Sequence, residues 1–184
     1  MMDLFTGEAV FLFHSRSKDA PPGRGVGEEI HVPDETYSEL ARHRDWRRKL
    51  SNFAESPFTM DGLTWRSVEH AFQAAKFMTV DPGYYRSFSI ESGSALGAAL
   101  GAEVRSAGGK RGRPLGPADL AHWEKVKHDV MARALYAKFS QNEASRIILL
   151  ATGLAKLTHR PLRAAHTQVE MGMMDVRRRL REAR

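Results

Sequence analysis

Hydrophobic positions along this chain change their spacing several times, and each change marks an expected element. Ala9-Val-Phe-Leu-Phe13 is rich in β-branched and aromatic residues, as a strand requires. His14 to Gly27 is polar and crowded with Pro and Gly, which predicts a loop. Glu29 to Val32 reads as another short extended piece, and Asp34 or Thr36 is placed to cap a helix carrying Tyr37, Leu40, Ala41 and Trp46, basic on its outer face. Pro57-Phe-Thr-Met60 and Leu63-Thr-Trp65 flank Asp61-Gly62, a dipeptide suited to a two-residue hairpin connection.

From Ser67 the period becomes 3.6. Val68, Ala71, Phe72, Ala75 and Phe77 fall near one stripe behind Ser67 as N-cap, which predicts a helix from Val68 to Met78. Asp81-Pro82-Gly83 stops it, and a second helical segment is expected from Ser92 or Ser94 to Val104. After a loop over Gly108 to Gly116, Pro117 suits the first turn of a long helix carrying Leu120, Trp123, Val126, Val130, Met131, Ala134 and Leu135 toward Phe139. Further helices are expected from about Glu143 to Ala151 and from Thr167 to the end. With no internal repeat, the expected fold is α+β, a predominantly α-helical single domain over residues 1–184 with a small β-sheet.

A length of 184 residues suits one hydrophobic core, and no run approaches the roughly 20 apolar residues that cross a bilayer. The amino terminus carries Asp3 and Glu8 and no basic cap, unlike a secretory signal, so a cytoplasmic protein without a membrane partner is expected. The absence of cysteine excludes disulfides, thiolate metal sites and cysteine nucleophiles. Scattered histidines without a His-x-x-x-His pair give no expected metal site, and the lack of a Gly-x-Gly-x-x-Gly or Walker loop gives no expected cofactor. A net charge of +6 favours phosphate-bearing partners. Much of that excess lies in Arg42 to Lys49 and Arg177 to Arg184, and such runs more often cover solvated helix faces.

Chemistry concentrates in Leu50 to Phe77. Glu69, Gln73 and Lys76 are spaced to share one helix face, which then offers an acid, an amide and a cation. By spacing alone an ordinary solvated stripe is the stronger reading, because such pairs are common and worth only about 0.2–0.5 kcal/mol. His70 points about 100° away and is expected to be structural.

The combination Ser51-Asn52-Phe53, Asp61-Gly62, Trp65 and Ser67-Val68-Glu69-His70 with Gln73, Lys76 and Phe77 resembles the signature of the NADAR (YbiA-like) family. The similarity resumes at Trp123-Glu-Lys-Val-Lys127, Met131, Ala134-Leu135, Lys138-Phe139 and Gln141, then at Leu149-Leu150, Thr152-Gly153, Leu157 and Met173-Met174-Asp175-Val176-Arg177. The resemblance implies a YbiA-like fold and an N-glycosidase that hydrolyses the C1′–N bond between a phosphorylated ribose or ADP-ribose and a nitrogen base. The substrates it implies are riboflavin-pathway ribosylamino intermediates or ADP-ribosylated guanine in nucleic acid. A non-catalytic module binding ADP-ribose or nucleic acid is the alternative.

Such a reaction builds positive charge on the ribose ring, so a carboxylate beside C1′ is needed, and Glu69 is the expected catalytic group. Lys76, Lys127 and one of Arg111 or Arg113 are expected to hold phosphate. Trp65 and Phe53 are candidates to stack on a base or close the ribose pocket, and Trp123 is read as core. Asn52 is expected to bond a ribose hydroxyl or tie its own loop, and Gln73 completes the binding set. The chain departs from the family over Leu157 to Glu170, which lacks an aromatic-Gly pair and a Gly/Asn-rich loop; His159, Arg163, His166, Thr167 and Glu170 are the expected substitutes. Residues 14–48 form a divergent, insertion-like segment, read as a lid, a polyanion contact or a surface elaboration.

Overall fold

The computed structural model describes residues 3–110, 112–160 and 166–183. In chain order the first elements are β1 (Ala9–Phe13), β2 (Glu29–Ile30), α1 (Ser38–Ala41), α2 (Trp46–Leu50), β3 (Phe58–Met60), β4 (Leu63–Trp65), α3 (Val68–Ala75) and α4 (Pro82–Ser87). There follow α5 (Ala95–Ala98), α6 (Gly101–Ala107), α7 (Pro117–Gln141), α8 (Glu143–Ala151), β5 (Lys156–His159), β6 (Gln168–Val169) and α9 (Met171–Glu182). This is the expected α+β class, dominated by helix. The chain forms two compact units, residues 1–51 with 143–184 and residues 52–142. Among the described residues no helix is long and apolar enough to cross a membrane.

In the first unit a four-stranded sheet runs β2-β1-β5-β6. Its centre is the parallel pair β1 and β5, with Phe11 opposite Leu157, and both flanking pairs are antiparallel. Ala9, Phe11 and Phe13 alternate inward, and the Phe11 ring meets Tyr37 and Trp46 edge-on at centroid distances of 4.9 and 5.2 Å. Leu40 and Leu50 join that core with Ile148 and Leu149 of α8 and Met173, Met174 and Val176 of α9.

Several local expectations are corrected here. The single helix expected from Asp34 or Thr36 to Trp46 is a 3-10 turn at Asp34–Tyr37 followed by α1 and α2, broken where Asp45 takes a left-handed φ of 55°. The helix expected from Thr167 starts at Met171, because Gln168 and Val169 pair with His159 and Thr158 as a strand. Both basic runs also hide one arginine. Arg47 is 3% exposed, and its guanidinium donates to both carboxylate oxygens of Glu28 at 2.6 and 2.5 Å and to the Ala20 and Pro21 carbonyls. Glu28 also accepts the Gly23 and Gly25 N–H groups, so one carboxylate gathers the loop of the insertion-like segment. Buried Arg177 donates to Thr152 Oγ1 at 2.8 Å and to the Leu4 carbonyl at 2.7 Å.

The second unit starts with the expected hairpin. Phe58 faces Trp65 and Met60 faces Leu63, and the turn places Asp61 and Gly62 at φ 55° and 76°, the positive values that an Asp-Gly connection tolerates. Ser67 caps α3 by accepting the His70 N–H. The helix ends at Ala75, short of Met78, where a tight turn from the Phe77 N–H to the Ala74 carbonyl at 2.8 Å replaces the α-pattern. The segment expected from Ser92 or Ser94 to Val104 divides into α5 and α6, with Ala99 and Leu100 extended between them. Both α6 and the 25-residue α7 pack against α3.

Candidate active site

Helix α3 carries the centre of the site. At spacings of four and three, Glu69, Gln73 and Lys76 form a continuous chain of hydrogen bonds along one face. The Gln73 amide donates through Nε2 to Glu69 Oε1 at 2.8 Å and accepts at Oε1 from the Lys76 ammonium at 2.5 Å. Lys76 Nζ also donates to the Gly108 carbonyl at 2.7 Å, which pins the end of α6 to the C-terminal end of α3. Gly108 fits because it has no side chain: a Cβ there would lie 2.1 Å from Gln73 Oε1 and 2.5 Å from Gln73 Cβ. The other oxygen of Glu69, Oε2, has no hydrogen-bond partner among the described residues.

Asn52 sets the start of the helix. Its carbonyl accepts the Glu69 N–H at 3.0 Å, satisfying one of the donors that a helix leaves open at its first turn. Its side-chain amide lies 3.7 Å from Met131 Sδ of α7. Phe72 meets Trp123 edge-on at 4.9 Å, and the Lys76 ammonium stands 5.6 Å from the Trp123 ring centre. Trp123 is thus both core and neighbour to the site's cation.

These charges act on one another. Glu69 is 6% exposed, and burial pushes its carboxyl pKa above the ordinary 4.5, while the Gln73 amide and the positive charges of Arg105 and Lys76 pull it back. Burial lowers the Lys76 ammonium, Glu69 raises it again, and Arg105 lowers it further. The arrangement presents a desolvated carboxylate with one oxygen fixed and the other uncommitted. Such a group can face developing positive charge or take a proton from water.

The remaining candidates separate clearly. Trp65 is 0% exposed, its Nε1 bonded to the Met60 carbonyl at 2.9 Å and its ring 5.3 Å from Tyr85, so it is a core residue with no face to offer a base. Phe53 is half-buried beside Gly101, where a Cβ would come within 2.9 Å of its ring. Arg113 pairs with Asp81 and lies over the Tyr84 ring at 4.8 Å, and Lys127 pairs with Glu124 on the same helix. His159 and Glu170 belong to the other unit and face each other at 3.6 Å from Nδ1 to Oε1, where burial raises the Glu170 carboxyl pKa. His166 and Thr167 are exposed, while Arg111 and Arg163 lie outside the described residues. His70 is buried with Nδ1 2.8 Å from Ser67 Oγ, and burial followed by the Arg66 charge lowers its pKa to about 4. It is a neutral structural imidazole. No group of three or more His, Asp or Glu side chains suited to a metal ion occurs among the described residues.

Two participants escaped the sequence reading. Gly108 sat in a stretch read only as a loop, and its Gly-Gly neighbourhood was the available hint. Arg105 gave no signal, since its position depends on how α6 packs against α3.

The NADAR domain model matches residues 40–162. The N-glycosidase YbiA of Shigella flexneri serotype 5b (strain 8401) is 38% identical over 127 residues, covering 69% of this chain and 71% of that protein. The chloroplastic riboflavin biosynthesis protein PYRR of Zea mays is 34% identical over 110 residues, covering 56% of this chain and 17% of that much longer protein. The NMR structure of E. coli YbiA matches with a TM-score of 0.58 at 33% identity, over 74% of this chain and 80% of that one.

Proposed function

This chain belongs to the NADAR family and is a hydrolase acting on N-glycosyl bonds; from that premise we propose that it cleaves the C1′–N bond between a phosphorylated ribose and a nitrogen base, with Glu69 as the carboxylate at C1′. The observation that carries the reading is the buried Glu69 carboxylate, held at Oε1 by Gln73 and uncommitted at Oε2.

As the C1′–N bond breaks, its electron pair leaves with nitrogen and positive charge spreads over C1′ and the ring oxygen. Glu69 stabilises that charge through an environment too dry to screen it. The oxygen of a water molecule then bonds to C1′ and one of its protons passes to Glu69, while the departing nitrogen takes a proton from solvent, to which Glu69 returns its own. Gln73 sets the carboxylate's orientation. Burial raises the Glu69 pKa, and the Gln73 amide, then Arg105, then Lys76 oppose it; two of the three Lys76 protons are spent on Gln73 and Gly108.

The kinship with a riboflavin biosynthesis protein makes phosphoribosylamino pyrimidines the first substrates to test. The charge of +6 favours a second reading, in which the handle is ADP-ribose on guanine in nucleic acid. Purified protein is incubated with each substrate in 18O-labelled water, and mass spectrometry follows the freed base and the label at C1′. Expected are release of base with label on the sugar and a loss of about 10²–10⁴-fold in kcat for Glu69→Gln with ligand affinity nearly intact. A Glu69→Gln enzyme that keeps its rate would remove Glu69 from the chemistry. Binding of ADP-ribose by wild type with no turnover of any substrate identifies a binding module instead.

A further inference from the structure

A carboxylate poised for C1′ does not by itself hold a ribose phosphate, which needs a cation close to that carboxylate and not already committed to an acid. Around Glu69 the cations are unevenly available. Arg113 is paired with Asp81, Lys127 with Glu124, Arg133 with Asp61, and Arg66 with Glu55 and the Gly97 carbonyl. Lys76 is bonded to Gln73 and Gly108. Arg105 differs from all of these. It lies in the last turn of α6, its side chain is exposed, and its guanidinium has no ion-pair or hydrogen-bond partner among the described residues.

The position of that turn is fixed. The Gly108 N–H bonds the Val104 carbonyl at 3.1 Å, the Gly108 carbonyl takes the Lys76 ammonium, and the Gly108 Cα sits against Gln73. Arg105 is therefore mounted one helical turn from the contact that joins α6 to the Glu69–Gln73–Lys76 array. Its charge is felt by both Glu69 and Lys76.

We propose that Arg105 grips the phosphate of the ribose substrate, its planar fork fitting two phosphate oxygens while Glu69 addresses C1′. This assignment rests on the function proposed above and narrows its substrate class to phosphorylated ribosides. Lys76, on this assignment, is a positioning residue for the carboxylate, and Arg105 is the substrate's anchor. The competing role is local: a cation in the last turn of a helix stabilises that helix by a modest amount and touches no ligand.

The two roles separate experimentally. Arg105→Ala is expected to raise KM for a phosphorylated substrate by about 10–100-fold with kcat changed by less than about threefold. KM for the same substrate without its phosphate should be equal in wild type and variant. Arg105→Lys, which keeps the charge and loses the fork, should recover part of the affinity. An unchanged KM for the phosphorylated substrate, with or without a lowered Tm, overturns the proposal. Calorimetry with ribose 5-phosphate keeps the test independent of turnover: loss of binding in Arg105→Ala supports the anchor even if no riboside is cleaved, and equal binding, or none by wild type, refutes it.

Discussion

Adding one methyl group at Gly108 probes the geometry on which the site depends. In Gly108→Ala the new Cβ would stand 2.1, 2.5 and 2.8 Å from Oε1, Cβ and Cδ of Gln73. The end of the Gln73 side chain can swing away, but its Cβ moves only with α3, so α6 and α3 must separate or Gln73 must leave its rotamer. Overpacking of this kind costs about 1–3 kcal/mol. The displacement also loosens the Gln73–Glu69, Lys76–Gln73 and Lys76–Gly108 bonds, each charge-assisted and worth about 1.5–3 kcal/mol. Because these bonds fail together and partly re-form with water, we expect about 2–4 kcal/mol lost in total. Urea denaturation gives that number, and steady-state kinetics should show kcat falling about 10–100-fold as Glu69 loses its fixed oxygen. Gly7→Ala, where a Cβ meets nothing within 4 Å, is the control and should change neither. Wild-type stability together with wild-type kcat in Gly108→Ala would show that the close approach of α6 does not hold the array.

The pH profile of the reaction should fall on its acid side at a pH above the ordinary carboxylate range, because burial raises Glu69; kcat/KM measured from pH 4 to 8 checks it, and an acid limb at or below 4.5 contradicts it. The cost of burying that charge is present above its raised pKa and vanishes below 4.5, so Glu69→Gln should melt no lower than wild type at neutral pH, read by calorimetry. His70 acts in the opposite sense: with its pKa lowered from 6.5 to about 4, stability is lost as pH falls between those values, by roughly 3 kcal/mol, and His70→Gln should flatten that slope in urea titrations at pH 7 and 4.5. Arg47→Ala strands the buried Glu28 carboxylate and should cost about 3–5 kcal/mol, whereas Arg42→Ala, at an exposed pair, should cost less than about 1 kcal/mol in the same assay.

What could be read from the chain in advance was local. The Asp61-Gly62 turn, the cap and stripe of α3, and α8 over Glu143–Ala151 each rest on residues a few positions apart. Strands β5 and β6 were missed because four- and two-residue pieces carry almost no periodicity, and β5 exists through pairing with β1, with Val10 opposite Lys156. Trp65 is a candidate by residue type to stack on a base or close the ribose pocket, yet Leu63 and Trp65 alternate with Thr64, a parity that turns both inward. The spacing of Glu69, Gln73 and Lys76 was visible, whereas Gly108 and Arg105 enter only through helix packing. The basic runs misled differently: composition registers that a residue is charged, and it is blind to Glu28 lying in wait for one of them.

That pairing constrains anyone who would shorten or transplant the divergent segment. Excising the loop that bears Glu28 would remove at one stroke the carboxylate and the Ala20 and Pro21 carbonyls that satisfy the Arg47 guanidinium, so loop and arginine should be moved or replaced together. The loop and its arginine behave as a single replaceable cassette.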